Sequence, residues 1–271
     1  MRVGFCCVVA AMLMTGPARA DDIALYAAGS LRAAMTDIAK AFAAETGLHV
    51  QGKFGPSGVL EKEIAGGAKA DVFASANMDY PNMLNRAGKG GPVVRFARNK
   101  LCALVRPGLK VDSDNLIDRL LDPSIKLGTS TPNSDPSGDY AFEVFGKVDA
   151  MRPGAGAKLE QKALKLTGSA TSAVPPAGRS VYGWHIAEGR ADIFLAYCTA
   201  AAEARQQNPE QQIVALPPTL AVGADYGLTV IKGSPPSAER FAQFILAPAG
   251  QAILAGYGFA TGQTQPSQPE R

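Results

Sequence analysis

The stretch IALYAAGSLRAAM, residues 23–35, joins an apolar run to a helical pattern through Gly29 and Ser30. Residues 23–28 have the length and apolarity of a buried strand, and the residues after Ser30 repeat apolar positions at the spacing of an amphipathic helix. A serine at this junction has two interpretations. It can cap the helix with its side chain, or its hydroxyl and the free N–H groups of the first helical turn can hold an anion. Other stretches of the chain bear on this choice.

The first twenty residues, 1–20, have the pattern of a secretory signal peptide. The basic Arg2 precedes an apolar run over residues 3–14, and Ala-Arg-Ala at 18–20 forms a small-residue cleavage signal. The apolar run is too short to cross a membrane as a helix. We therefore expect the mature protein to begin near Asp21 and to be soluble, exported and periplasmic.

The length and charge of the chain restrict the classes of function. The 271 residues suffice for one large or two medium domains. The formal net charge is +3, and about +1 without residues 1–20, because these carry two of the 27 basic residues and none of the 24 acidic ones. A nearly neutral chain with scattered charges gives no reason to expect nucleic acid or an anionic membrane as a partner.

Two cysteines, Cys102 and Cys198, remain once the signal peptide has taken Cys6 and Cys7. Both lie in apolar, strand-like runs, KLCALV and FLAYCTA, which favours buried free thiols. An exported protein also permits a disulfide, but the sequence does not supply the separation that a disulfide requires. Neither cysteine belongs to a C-x-x-C pattern, so the sequence contains no redox or zinc motif of that kind.

Strand-like and helical patterns alternate along the mature chain, which predicts βαβ units and mostly parallel strands in an α/β fold. The segment RNKLCALVRPG (98–108) is predicted as a strand and GAKLEQKALKLTG (156–168) as a helix. The stretch 237–259 is helical in pattern, with a break at Pro248. The polar, proline-containing tail, 263–271, is predicted to be disordered.

Four stretches place a hydroxyl side chain where a predicted strand ends. Ser30, Ser57 and Ser137 each open a predicted helix, and Tyr197 ends the strand in ADIFLAYC. In open α/β sheets, ligands bind outside the carboxyl ends of strands. Hydroxyls and helix-start N–H groups can all donate hydrogen bonds to an oxyanion. Each serine alone is more often a plain cap, but the glycine beside each one permits close approach of the backbone to a ligand.

Five motifs along the chain together resemble those of the periplasmic molybdate-binding proteins of ABC importers. In order they are YAAGSL, GPSGVL, GAKADVFASA, PSGDYA and EGRADIFLAY, and the resemblance extends over about residues 23–262. It implies a type II periplasmic-binding-protein fold, with two α/β lobes, mixed and mostly parallel sheets, and a ligand cleft between the lobes. Lobe 1 is expected over 21–102 plus 227–262, and lobe 2 over 103–226.

The same resemblance implies a ligand and a partner. The family holds a tetrahedral oxyanion, molybdate or tungstate, without a metal ion or a charged side chain. Closure of the lobes around the anion is then read by the membrane subunits of an ABC importer. The expected protein is a monomeric binding protein that has no cofactor and is not an enzyme.

The resemblance implies ligand contacts at individual positions of this sequence. Ser30, Ser57 and Tyr197 match family positions whose hydroxyls contact the ligand. Ser137 falls where the family usually has an alanine that contributes its backbone N–H. A fifth contact, also a backbone N–H, falls on Arg179 when residues are counted back from Tyr197 without a gap.

Three departures from the family pattern keep other ligands in view. Tyr197 is followed by CTAA, where many members have an aspartate after the threonine. PNSDPSGD (132–139) replaces a more apolar approach to Ser137, and Arg179 replaces an aliphatic residue. Sulfate, another group-6 oxyanion or a small organic acid is therefore an alternative ligand.

An exported serine hydrolase is the alternative from a different class of function. Such an enzyme needs a nucleophile elbow, G-x-S-x-G, which the sequence lacks. It also needs a general base, and the chain has only two histidines, His49 and His185. Both are expected at the surface or in packing positions rather than beside a serine.

Overall fold

The computed structural model describes residues 22–262, so the predicted signal peptide, 1–20, and the predicted tail, 263–271, lie outside the described residues. The described chain is an α/β fold built on one mixed sheet of nine strands. The strands are β1 (Ile23–Ala28), β2 (Val50–Gly55), β3 (Val72–Ser75), β4 (Val94–Val105), β5 (Leu127–Ser130), β6 (Leu164–Thr167), β7 (Ile193–Tyr197), β8 (Gln212–Ala215) and β9 (Gly223–Val230). The helices are α1 (Arg32–Thr46), α2 (Ser57–Ala65), α3 (Asp79–Arg86), α4 (Leu116–Leu121), α5 (Pro136–Met151), α6 (Ala155–Lys162), α7 (Val181–Ala187), α8 (Cys198–Gln207), α9 (Pro236–Leu246) and α10 (Pro248–Gly256). No helix within residues 22–262 combines the length and the apolarity needed to cross a membrane.

The long strand β4 takes part in both halves of the sheet. The strand order is β2-β1-β3-β9-β4-β7-β5-β6, with β8 paired to β4 outside this path. Residues 94–100 of β4 pair with β9, and residues 101–105 pair with β7. The predicted lobe boundaries, at 102/103 and 226/227, fall inside β4 and β9. The division into these two lobes stays a prediction.

The sheet contains less parallel pairing than the sequence predicted. Four strand pairings among the described residues are parallel and four are antiparallel. The parallel ones join β1 to β2 and β3, and β5 to β6 and β7, where helical connections allow βαβ units. Every antiparallel pairing involves β4 or β9. The alternation of strand-like and helical patterns along the chain predicts the helical crossovers. It does not show that β4 and β9 are antiparallel to their neighbours.

The predicted helix over 156–168 is only half correct. Helix α6 ends at Lys162, and Leu164–Thr167 forms β6, which pairs parallel with β5 at the edge of the sheet. No glycine or proline marks the transition from α6 to β6, and the leucine, lysine and alanine residues around it all favour helices. Pairing with β5 therefore overrides the local preference. The structure also begins β4 at Val94, four residues before the predicted start at Arg98.

The C-terminal helices pack against the N-terminal one. Phe42 of α1 meets Phe241 and Phe244 of α9 edge-on, with ring centroids 5.2 and 5.5 Å apart. Such aromatic pairs stabilise a hydrophobic core by more than the burial of their apolar surface alone. The predicted break at Pro248 is confirmed, because α9 ends at Leu246 and α10 begins at Pro248. Both ends of the described chain thus build the same half of the fold.

The preference for free thiols is wrong, since Cys102 and Cys198 form a disulfide. Cys102 lies in β4 opposite Ala196 of β7, two residues before Cys198. This antiparallel register brings the two Cα atoms to 4.9 Å from each other, although 96 residues separate them in sequence. A strand register cannot be read from two apolar runs, so the sequence left the pairing open.

Candidate functional site

A cleft of about 590 Å³ opens at the carboxyl ends of β1, β2 and β7. Ala28, Gly55 and Tyr197, the last residues of these strands, all line it. Much of the remaining wall comes from the segment 167–182, which leads from β6 into α7. The carboxyl ends of strands are where open α/β sheets bind ligands, so this cleft is the candidate site.

Ser30 lines the cleft and does not cap α1. The structure inserts a 3-10 turn, Gly29–Leu31, between β1 and α1, so that α1 begins at Arg32 and Leu31 occupies the capping position without a side-chain bond. The Ser30 hydroxyl instead lies 3.0 Å from the hydroxyl of Tyr226. The capping interpretation of Ser30 is therefore wrong, and its hydroxyl faces a buried polar network at the cleft.

Ser57 lies behind the wall of the cleft. It is the first residue of α2, it is buried, and its hydroxyl accepts the N–H of Ala76 at 3.1 Å. The neighbouring N–H of Gly58 donates to the carbonyl of Ser134 at 2.8 Å. The strand-to-helix turn at Gly55 lines the cleft, while the Ser57 hydroxyl holds the end of β3 in place.

Ser137 is fully buried and also lies outside the lining of the cleft. Its N–H, which the resemblance assigns to the ligand, donates to Asp135 Oδ1 at 3.1 Å. Asp135 is thus the residue that caps α5, with Pro136 at the first helical position. Asp135 lines the cleft, and burial raises the pKa of its carboxyl group to about 6.

Tyr197 ends β7 and lies at the base of the cleft, almost completely buried. Its hydroxyl donates to the carbonyl of Ala76 at 3.4 Å. Burial raises the pKa of Tyr197 well above its usual value, so the hydroxyl stays protonated and remains a donor. The ring packs against Tyr226, with centroids 5.6 Å apart.

Tyr226 connects the cleft to the strands shared by the two halves of the sheet. Besides Ser30, its hydroxyl contacts the side-chain amide of Asn99, which donates to it at 3.3 Å and to Thr199 at 2.8 Å. Tyr226 lies in β9 and Asn99 in β4. The sequence analysis missed both residues, because each reads as one more position in a strand and only the sheet register brings them to Ser30.

Arg179 lines the cleft, but its backbone N–H donates to the carbonyl of Pro176 at 3.1 Å. The next residue, Ser180, caps α7 by accepting the N–H of Gly183 at 3.5 Å. Arg32 and Glu203 also line the cleft. Burial raises the pKa of Glu203, and the nearby Arg32 opposes this rise. The lining is therefore charged, whereas the resemblance implied neutral donors only.

The cleft brings together Ser30, Tyr197 and Arg179, and it leaves Ser57 and Ser137 behind its wall. Asp135 is a further functional candidate that sequence reasoning missed, besides Tyr226 and Asn99. The signal was present in DPSG, where an aspartate before Pro136 is a typical helix cap. Within residues 22–262, neither His49 nor His185 lines the cleft, so the structure places no imidazole beside a cleft serine to act as a general base.

Comparison with known proteins gives a consistent set of relatives. A family described as "Bacterial extracellular solute-binding protein" matches residues 23–260. Uncharacterized protein PM1146 of Pasteurella multocida is 33% identical over 237 residues, 87% of this chain and 97% of the relative. The molybdate-binding protein ModA of Mycobacterium tuberculosis is 28% identical over 250 residues, 90% of this chain and 87% of the relative.

A solved structure shares the fold over most of the chain. The periplasmic molybdate-binding protein of Azotobacter vinelandii superposes with a TM-score of 0.71, covering 89% of this chain and all of that one. The two sequences are 20% identical, so this likeness concerns the fold. It agrees with the two-lobed α/β architecture expected from the sequence motifs.

Proposed function

The chain belongs to the family of bacterial extracellular solute-binding proteins, and on that premise we propose that it is exported and captures an oxyanion for an ABC importer. The observation that carries the proposal is the cleft at the carboxyl ends of β1, β2 and β7. Ser30 lines it from the 3-10 turn before α1 and Tyr197 from the end of β7. Hydroxyls that line a cleft can donate the strong, charge-assisted hydrogen bonds that an oxyanion accepts.

Molybdate and tungstate are the reference ligands for this proposal. Relatives that share 28% of their residues over nearly the whole chain are molybdate-binding proteins. The YAAGSL motif carries Ser30 and the EGRADIFLAY motif carries Tyr197, and both residues line the cleft. Export is supported by the extracellular family and by the signal-peptide pattern in residues 1–20.

A small organic acid is the second candidate ligand, and the size of the cleft favours it. The volume of about 590 Å³ lies within the range of roughly 300–1,000 Å³ that is typical of sites for organic molecules. A single tetrahedral anion fills only part of such a space. Sulfate is retained as a third candidate because it shares the tetrahedral shape and charge of molybdate.

A thermal-denaturation panel tests the proposal. The protein lacking residues 1–20 is heated with molybdate, tungstate, sulfate, phosphate and a set of organic acids, with chloride at equal ionic strength as the control. A ligand at about one hundred times its dissociation constant adds about 2.7 kcal/mol to the free energy of unfolding. A rise in Tm with at least one oxyanion and none with chloride is expected. If no anion raises the Tm, the proposed function is wrong.

A further inference from the structure

Asp135 is an acidic side chain in the wall of a cleft that we propose binds anions. It lies between β5 and α5 and lines the cleft. Its Oδ1 accepts the N–H of Ser137 at 3.1 Å, and the Ser130 hydroxyl is a second donor beside the carboxyl group. An ionised carboxylate can accept about four hydrogen bonds. Asp135 therefore has acceptor capacity to offer to a ligand.

The groups around Asp135 provide no counter-charge. In the part of the chain that the structure describes, no lysine, arginine or histidine forms an ion pair with it. The Ser130 and Ser137 hydroxyls beside it are fully buried and uncharged, and the Ser130 hydroxyl lowers the pKa of Asp135 as a hydrogen-bond donor. Burial is the main cause that raises the pKa of Asp135, and the nearby Asp139 raises it further. At neutral pH the cleft thus presents a mostly ionised, unneutralised carboxylate.

An anion that only accepts hydrogen bonds is a poor match for this wall. Fully deprotonated molybdate, tungstate and sulfate offer oxygen acceptors and negative charge, and Asp135 offers the same. Like charges in one site oppose each other, and unpaired acceptors lose their hydration without compensation. A ligand hydroxyl makes the contact with Asp135 favourable, because it donates a charge-assisted hydrogen bond to the carboxylate.

The rest of the cleft suits a carbon skeleton with an anionic end. Residues 173–177, AVPPA, and Phe54 supply apolar lining, while Arg32 and Arg179 supply positive charge. The Arg32 guanidinium lies over the Phe54 ring, 4.8 Å from its centroid, and its Nη2 donates to the Phe54 carbonyl at 3.4 Å. The site therefore combines cations, apolar surface and the carboxyl groups of Asp135 and Glu203 in a single cleft.

We propose that the ligand is a hydroxylated organic anion, whose hydroxyl donates to Asp135 while its anionic group lies near Ser30 and Arg32. The anionic group is a carboxylate, as in a hydroxy acid, or a phosphate, as in a polyol phosphate. This inference rests on the proposed function and narrows its class of ligand. It assigns Asp135 as the residue that selects against anions without a donor.

Calorimetric titration with matched pairs of anions tests the selection. At pH 7.5 the protein is titrated with glycerate and propionate, with glycerol 3-phosphate and propyl phosphate, and with molybdate and sulfate. The hydroxylated member of one pair is expected to bind at least tenfold more tightly than its deoxy partner, because a site built to bond a hydroxyl rejects the analogue without it. If the preference appears between glycerate and propionate, the anionic group is a carboxylate. If it appears between glycerol 3-phosphate and propyl phosphate, the anionic group is a phosphate.

The variant Asp135→Asn tests the residue itself. Asparagine caps helices as well as aspartate does, so α5 keeps its cap while the charge is removed. The hydroxyl preference is expected to fall below threefold, and binding of sulfate or molybdate to strengthen at least threefold. The matched control is Asp139→Asn, on the same first turn of α5, whose Oδ1 accepts the N–H of Asn133 outside the cleft. This control should keep the wild-type preference.

The outcomes separate this inference from the proposed function. Tight binding of molybdate or sulfate, with equal affinities within the carboxylate pair and within the phosphate pair, overturns the inference and leaves oxyanion capture intact. A hydroxyl preference that persists in Asp135→Asn overturns the role of Asp135. If none of the anions binds, both the proposed function and the inference are wrong. Should Asp135→Asn fail to fold, Asp135→Ser supplies a second uncharged capping residue for the same titrations.

Discussion

The Ser30 hydroxyl belongs to a partly buried chain of polar groups and not to a helix cap. Tyr226 lies 3.0 Å away, and Asn99 links Tyr226 to Thr199. Each member therefore holds the next one in a fixed orientation. A hydroxyl oriented in this way pays little conformational entropy when a ligand arrives, which is the benefit of a preorganised site.

Replacing either cleft hydroxyl is expected to weaken binding without unfolding the protein. Ser30→Ala and Tyr197→Phe each remove one donor while keeping the backbone and, for Tyr197, the ring. The affinity for the ligand found in the panel should fall roughly tenfold, as expected for a hydrogen bond to a charged group. Calorimetric titration measures the affinity, and the Tm without ligand checks the fold.

The control for these two variants is Thr36→Ala, an exposed position in α1 whose hydroxyl donates to the Arg32 carbonyl away from the cleft. It should bind as tightly as the wild type. Unchanged affinity in both Ser30→Ala and Tyr197→Phe would place the ligand in a different pocket.

The raised pKa of Asp135, about 6, predicts how stability depends on pH. In the unfolded chain an aspartate titrates near 3.9, so between pH 4 and 6 the folded protein binds more protons at this residue. Its contribution to the free energy of unfolding therefore falls as the pH rises through this window, by about 3 kcal/mol in all. The Ser137 N–H and the Ser130 hydroxyl lower this pKa, while Asp139 raises it.

Urea unfolding at pH 4.5 and pH 7, without ligand, checks this dependence. Asp135→Asn should lose less stability than the wild type between the two pH values, because asparagine does not titrate. Groups that do not interact with Asp135 contribute equally to both proteins and cancel in the comparison. Parallel pH profiles for the two proteins would contradict the assigned titration.

The sequence could place only part of the candidate site. Ser30 and Tyr197 follow from the rule that ligands bind at the carboxyl ends of strands, which needs no tertiary information. Ser57 obeys the same rule, yet its hydroxyl turns to the N–H of Ala76, a contact that depends on how β3 and α2 pack. Tyr226 was not predictable, because only the pairing of β9 with β4 brings it to Ser30.

At the scale of the elements, β4 and β7 are joined twice, by backbone hydrogen bonds and by the disulfide between Cys102 and Cys198. Cys198 directly follows Tyr197, so the covalent link fixes the end of β7 that lines the cleft. A crosslink that closes a loop of this length restricts the unfolded chain strongly.

Removing the disulfide is expected to lower both stability and affinity. The double variant Cys102→Ala, Cys198→Ala should lose about 2–4 kcal/mol of unfolding free energy, and ligand binding should weaken because Tyr197 is held less firmly. Urea unfolding and calorimetric titration measure the two effects. A reducing agent should reproduce both losses in the wild type and change nothing in the double variant. A double variant as stable as the wild type would contradict this account.

Sequence patterns predicted the elements better than their pairing. The break at Pro248 and the helix after Ser30 follow from proline chemistry and apolar spacing, which act locally. The strand β6 was missed because Leu164–Thr167 reads as a continuation of α6 and becomes a strand only by pairing with β5. The mixture of parallel and antiparallel pairing depends on the directions of β4 and β9, which the order of patterns does not reveal.

For the whole molecule, the two predicted lobes meet across the cleft through a few polar contacts. The N–H of Gly58 donates to the carbonyl of Ser134, and the Tyr197 hydroxyl donates to the carbonyl of Ala76. Beyond these contacts the halves are joined through β4 and β9. In a binding protein of this architecture, closure of the halves around the ligand is the hinge-type change that a transporter can detect.

Gly58→Ala is expected to hinder closure. A methyl group at this position would lie 2.6 Å from the hydroxyl of Tyr80 and 2.8 Å from the carbonyl of Ser134, so the start of α2 and the Ser134 loop must move apart. Affinity should fall about tenfold or more, and small-angle X-ray scattering should show a more open molecule with ligand present. Gly146→Ala, where nothing lies within 4 Å of the added methyl group, is the control and should close normally. Wild-type affinity in Gly58→Ala would contradict this role of the contact.

The position of β9 between β3 and β4 has a consequence for the order in which the molecule can form. A chain made or threaded from its N-terminus presents β3 and β4 long before residues 223–230 exist to sit between them. The strands β5 to β8 can assemble on the second half of β4 during that interval, whereas the first half of β4 keeps an open edge. Open strand edges are where chains associate wrongly. Correct folding therefore requires the last sixth of the sequence, which contains β9. Variants truncated before β9 should aggregate, although every residue that lines the cleft is present.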